Sequence, residues 1–205
     1  MVKTRKAEIA AQNRPKKGSK IKVLPFCNAA DIKTLKLLLA HHPRNYCLFV
    51  LGINTGFRAS ELLSITVKMV EYLHPGDTLE IKESKTGKIR RVGLNKACID
   101  AIQGWLTSQE MRHAAEEHFL FAGQRGPLGI AYLNRLVKRW AKSINLKGNY
   151  GSHSLRKTFG YHQRVRYKVE LPLLTEVFGH RSQRQTLDYL CIQGEEVQNV
   201  YFNEI

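Results

Sequence analysis

Apolar residues recur at helical spacing along most of the chain. From Asp31 the positions Ile32, Leu35, Leu37, Leu38 and Leu39 predict a helix closing near His41-His42-Pro43, since proline disfavours helix through the residue before it. Residues 44–54 are apolar on most sides (Tyr46, Cys47, Leu48, Phe49, Val50, Leu51, Ile53), the pattern of a helix buried at the centre of a domain. It stops at Asn54-Thr55-Gly56, and a short helix after that glycine turn puts Arg58 and Glu61 on one face. The helical period returns at 98–106 behind Asn95 as a cap, at 130–144, from 152 or 153 to about 167, at 171–178, and after Ser182.

The pattern changes in the middle of the chain. Residues 67–73, 78–83 and 89–94 have strand character and are separated by His-Pro-Gly-Asp and Ser-Lys-Thr-Gly-Lys, both turn sequences, so a three-stranded antiparallel meander is expected. Residues 118–122 read as extended, ahead of a loop at 123–129. The expected fold class is mainly α with a small three-stranded antiparallel sheet, α+β.

At 205 residues and 43% hydrophobic content, the chain can hold one domain with a real core. No run approaches the roughly 18 apolar residues of a membrane span, so no membrane partner is expected. The basic N-terminus lacks the apolar segment of a secretory signal. Cys27, Cys47, Cys98 and Cys191 are far apart and have no metal-ligand spacing, which points to reduced thiols in a cytoplasmic protein without a metal site.

Charge adds more. Against 17 acids stand 33 lysines and arginines, a net +16, which makes a polyanion the leading partner. Residues 1–22 hold eight basic residues and one acid and too little apolar surface to fold alone, so they read as a flexible basic arm. The remainder is still about +9. In 130–144, Asn134, Arg135, Lys138, Arg139 and Lys142 surround one apolar stripe, which suits either a helix facing DNA or a solvated surface helix.

The candidate chemistry is dispersed, and each piece has a bland reading. Arg58 and Glu61 could be a surface ion pair, and Lys85 a solvated turn lysine. His153 and Arg156, spaced H-x-x-R, fall on one face near a helix N-terminus, where the dipole favours an anion. In the stretch F-G-H-R-S-Q-R-Q-T-L-D-Y-L, His180 precedes Tyr189 by nine residues. A phenol with a pKa of about 10 is a poor nucleophile at neutral pH unless cations assist it.

Taken in order, T-G-F-R-A-S-E-L, S-K-T-G, H-S-L-R, F-G-H and the following tyrosine resemble the catalytic domain of the tyrosine recombinase (phage integrase) family, over residues from about 30 to 190. The resemblance implies a site of Arg58, Lys85, His153, Arg156, His180 and Tyr189. In it the two arginines would hold the non-bridging phosphate oxygens and His180 would hydrogen-bond the phosphate. His153 would assist the nucleophile, and Lys85, with Lys88 as the alternative, would protonate the leaving 5′ oxygen. Tyr189 would form a 3′-phosphotyrosyl bond with no cofactor or metal, and Glu61 would orient Arg58.

The chain departs from the family's pattern in two places. The usual histidine after the second arginine is Lys157, expected to affect phosphate contact or packing and not the mechanism. The family's separate DNA-clamping domain would not fit in the roughly thirty residues ahead of the catalytic part. Short members, the fimbrial phase-switch invertases, are most similar, through R-N-Y-C and G-F-R-A-S-E.

The resemblance implies a site-specific recombinase of double-stranded DNA acting in integration, excision or inversion. It implies a homo-oligomer, a tetramer on DNA, with possible accessory DNA-bending proteins. The alternatives are a type IB topoisomerase-like enzyme or a DNA-binding module of the same fold. The expected organisation is an arm at 1–22, a catalytic domain at 23–190 and a tail at 191–205 docking on a subunit.

Overall fold

In the computed structural model, residues 22–82, 87–111, 114–123, 126–192, 198 and 201–204 are described. The basic arm, Lys85 and most of the C-terminal tail therefore lie outside the described residues.

Helix α1 (Ala29–Leu39) starts at Asn28, whose side chain accepts the Ala30 N–H at 2.8 Å. Helix α2 (Pro43–Thr55) begins on Pro43, a residue pre-set for the first helical position. Cys47, Leu48, Phe49, Val50, Leu51 and Gly52 are all buried, as their apolar run requires. Around α2 pack α1, the helix α4 (Lys96–Leu106) and the helix α6 (Ser152–Val165). A short α3 (Ala59–Leu63) follows α2. The amphipathic α5 (Ile130–Ser143) buries Leu133, Leu136, Val137 and Trp140 and leaves Arg135, Lys138, Arg139 and Lys142 exposed.

The sheet is smaller than the sequence suggested. β1 (Thr78–Lys82) pairs antiparallel with β2 (Ile89–Gly93), and β3 (Ala122–Gly123) forms a minimal hairpin with β4 (Gly126–Pro127). The expected first strand is instead a 3-10 turn, Val67–Met69. Burial explains the difference: Val67 and Val70 are buried while Lys68 and Tyr72 are exposed, a period of three and not two. Residues 118–122 are extended next to residues 65–66, through a Thr66–Phe119 bridge and a Leu120 N–H to Ile65 O bond of 2.8 Å.

Among the described residues, two apolar clusters result. The main core spans α1 to α6 and includes Phe26, which stacks on Tyr150 at 4.9 Å and donates its N–H to Thr158 Oγ1 at 2.8 Å. A satellite of Leu174, Phe178, Leu190 and Ile192 joins two further helices, α7 (Leu171–Phe178) and α8 (Gln183–Leu190), to α6. The approach at α6 is close because residue 160 is glycine: a Cβ there would meet Leu190 Cδ2 and Phe178 Cζ at 2.5 Å. Helix α8 is thus held by a small cluster of its own.

Candidate active site

The end of α2 sets the first cation. Gly56 adopts φ +61°, a left-handed conformation natural to glycine, and turns the chain so that Phe57 is buried and Arg58 becomes the N-cap of α3. The Glu61 carboxylate then reaches back to accept the Arg58 N–H at 2.7 Å and Arg58 Nη1 at 2.5 Å. Glu61 is 3% exposed. A solvated surface pair is therefore the wrong description of it.

Glu61 has a second cationic partner that sequence reasoning missed. Arg90 of β2 lies 3.3 Å from Glu61 Oε2 and sits over the Phe57 ring at 5.6 Å. The available signal was strand alternation: Arg90 shares its face with Val92, and both are half-buried while the neighbouring residues of β2 are exposed. An arginine on the covered face of a strand requires a partner.

The second arginine comes from α6. Asn134 of α5 accepts the Ser152 N–H at 3.0 Å and Ser154 Oγ accepts the Gly151 N–H at 3.1 Å, which fixes the first turn of α6. Arg156, 4% exposed, donates to the Gly56 carbonyl and, through Nη2, to the Phe178 carbonyl at 3.0 Å. Its guanidinium also lies over the Phe178 ring at 4.6 Å. It therefore ties the turn before Arg58 to the end of α7. Burial first, with Arg90 and Arg58 adding to it, lowers its pKa to about 10 against the opposing pull of Tyr189 and Glu61, so it stays charged at neutral pH.

His153, one turn earlier, is exposed at the rim of the site. Its pKa is lowered by the desolvation its ring does experience, then by the Arg156 and Lys157 charges.

The connection from α7 to α8 brings the remaining groups. Gly179 ends α7, and the His180 ring follows, stacked on Phe178 at 5.4 Å with Nδ1 3.0 Å from Thr186 Oγ1. Desolvation, then Arg156 and Arg58, lowers the His180 pKa. Ser182 caps α8 by accepting the Gln185 N–H at 3.2 Å. Tyr189 then stands with its ring centroid 5.1 Å from that of His180 and 5.5 Å from that of Phe178.

The Tyr189 hydroxyl is buried without a hydrogen bond of ordinary geometry among the described residues, although Arg156 is close enough to act on it. Its pKa is raised by burial and pulled back by Arg156 and Arg58. The cations beside the phenol are suited to hold an anion, which would then meet the phenol oxygen.

The structure thus brings Arg58, Arg156, His180 and Tyr189 into one cluster with His153 at its rim. Lys85 lies outside the described residues, and Lys88 is exposed just before β2. Among the described residues no group of His, Cys, Asp or Glu side chains could hold a metal ion.

Residues 26–195 match the model of the phage integrase family. The chain belongs to that family. It is 31% identical over 182 residues to the probable integrase/recombinase YoeC of Bacillus subtilis, covering 87% of this chain and 95% of YoeC. It is 25% identical over 150 residues to the type 1 fimbriae regulatory protein FimB of Escherichia coli K12, covering 73% and 74% of the two chains. The solved structure of the site-specific recombinase XerH, in a post-cleavage complex with its palindromic difH substrate, shares the fold at a TM-score of 0.69 and 24% identity. That likeness covers 93% of this chain, which spans 56% of XerH. The mainly helical fold expected from the sequence is that of this integrase family, with two two-stranded antiparallel sheets among the described residues where one three-stranded sheet was expected.

Proposed function

We propose that this integrase-family chain is a site-specific recombinase that cuts and rejoins double-stranded DNA through a 3′-phosphotyrosine intermediate. The observation that carries the reading is the buried Tyr189 hydroxyl, without an ordinary hydrogen bond among the described residues, beside Arg156, Arg58 and His180. The likeness to XerH, solved on its DNA substrate, supports DNA as the partner.

In the proposed reaction Tyr189 Oη attacks the scissile phosphorus. A bond forms from Oη to phosphorus and the bond from phosphorus to the 5′ oxygen breaks. Arg58 and Arg156 hold the non-bridging oxygens, where charge accumulates in the five-coordinate transition state. His180 hydrogen-bonds the phosphate, and His153, with its lowered pKa, takes the phenol proton as base. Lys85 protonates the departing 5′ oxygen. Phosphodiester energy is retained in the phosphotyrosyl bond, so religation to another strand needs no nucleotide cofactor.

The protein acts near the chromosome, in the cytoplasm, as a homo-oligomer reaching a tetramer on DNA, with DNA-bending partners where the target requires them. Residues 1–22 follow the DNA backbone, 23–190 form the catalytic domain, and the tail beyond Ile192, whose side chain is buried in this chain's own satellite cluster, docks on a neighbouring subunit. Tyr201 and Phe202, more than three-quarters exposed, supply the apolar surface for that docking. Because the Tyr189 hydroxyl is covered, α8 has to shift when DNA and a neighbour bind; its satellite cluster, separate from the main core, is suited to that motion.

The test is incubation with nicked suicide duplexes containing the inverted repeats that flank the protein's own gene. Wild type forms a covalent protein–DNA adduct and Tyr189→Phe forms none. An adduct that persists in the phenylalanine variant would overturn the assignment of the nucleophile.

A further inference from the structure

Lys157 follows Arg156 on α6 and is 6% exposed, a rare situation for an ammonium group. Among the described residues no carboxylate lies within ion-pair distance of it. Its Nζ instead lies 3.4 Å from Cys191 Sγ and 4.9 Å from the centroid of the Tyr189 ring, over the ring face. Cys191 ends α8 in a left-handed conformation, and its sulfur also approaches the Val23 and Tyr189 carbonyls at 3.9 and 3.7 Å. Lys157 therefore joins α6 to the end of the tyrosine helix through two unusual acceptors, a thiol and an aromatic face.

A desolvated cation against an aromatic ring is attracted by the negative potential of the ring face, and that attraction is larger when buried than at an exposed site. As the phenol yields its proton, negative charge spreads from the oxygen into the ring and the attraction grows. An interaction that strengthens toward the attacking form accelerates the attack, whereas one equal in both forms does not. The groups facing Tyr189 divide accordingly. Arg156 of α6 and Arg58 of α3 act on the oxygen, His180 and Phe178 pack against the ring, and Cys191 adjoins the backbone. Lys157 is the cation on the ring face.

We propose that Lys157 is a positioning residue for Tyr189: held by the Cys191 thiol, its ammonium fixes the tyrosine ring and favours the anionic phenol during attack. The proposal rests on Tyr189 being the nucleophile, yet the contact itself can be tested without DNA. It also gives the lysine that replaces the family's usual histidine a specific task, as a contact to the nucleophile's ring.

The experiment uses the full-length protein with tyrosine labelled at 13Cζ and the Tyr189 signal identified with Tyr189→Phe. Lys157→Met, which keeps the length of the side chain and removes its charge, moves the Tyr189 titration upward. Lys157→Arg restores it. On the suicide duplex, Lys157→Met slows adduct formation about tenfold at neutral pH, equivalent to about 1.4 kcal/mol. The deficit shrinks as pH rises.

A Tyr189 titration unchanged in Lys157→Met overturns the proposal. So does a slowing that is the same at every pH and is not restored by arginine, which is the signature of packing alone. If wild type forms no adduct, the recombinase reading fails while the titration still decides the Lys157 contact.

Discussion

Replacing Glu61 by glutamine separates a buried charge hub from a surface ion pair. Glutamine keeps an acceptor for the Arg58 N–H, removes the negative charge shared by Arg58 and Arg90, and turns an amide NH2 toward the Arg58 guanidinium. Stripping one partner from a buried pair costs about 3–5 kcal/mol, because the remaining cation is left uncompensated in a poor solvent. The Glu61 and Arg90 side chains are 2% and 13% exposed, but that of Arg58 is 36% exposed and water screens it. The expected loss is therefore about 2–4 kcal/mol. For a chain of this size it lowers Tm by about 4–16 °C.

The assay is urea or thermal unfolding beside an internal control, Glu80→Gln. That carboxylate pairs with Arg91 at 2.7 Å, but the side chains are 50% and 74% exposed. The control costs less than about 0.5 kcal/mol. Inorganic sulfate should narrow the Glu61→Gln deficit, since an anion between the arginines replaces the missing charge and binds the folded state alone. If Glu61→Gln costs no more than Glu80→Gln, the view that a buried carboxylate holds the arginines in place is wrong.

Three further outcomes follow from the same geometry. Gly160→Ala introduces a methyl where Leu190 and Phe178 stand at 2.5 Å; it should displace α8 and slow adduct formation at least tenfold while single-site DNA binding, read by gel shift, is retained. The folded-state pKa values of His153 and His180 lie below the ordinary 6.5, so their contribution to stability is full above pH 6.5 and is lost as pH falls through the lower folded values. Urea unfolding should show declining stability from pH 7 to 5, with a shallower decline in His180→Gln; identical slopes would contradict it. Deleting residues 194–205 should cripple recombination and spare single-site binding, and unchanged recombination would refute docking of the tail on a neighbour.

The sequence by itself determined most of the helices, because their apolar residues repeat at 3.6-residue spacing and caps such as Asn95 and Ser182 mark their starts. It also placed Arg58, His153, Arg156, His180 and Tyr189 in order, since each lies at a turn or helix end with a local signature. It overstated the sheet at residues 67–73, where β-branched composition suggested a strand but only every third residue is buried.

What only the tertiary structure decided are contacts between residues distant in the chain. Arg90 reaches Glu61 across 29 positions, Arg156 bonds carbonyls 100 and 22 positions away, and Lys157 meets the ring of Tyr189. Local spacing carries no information about such pairs. Whether a charge is solvated or buried depends on which elements close over it, and that closure turned a Glu61 that could have been ordinary surface into the anionic centre of the site.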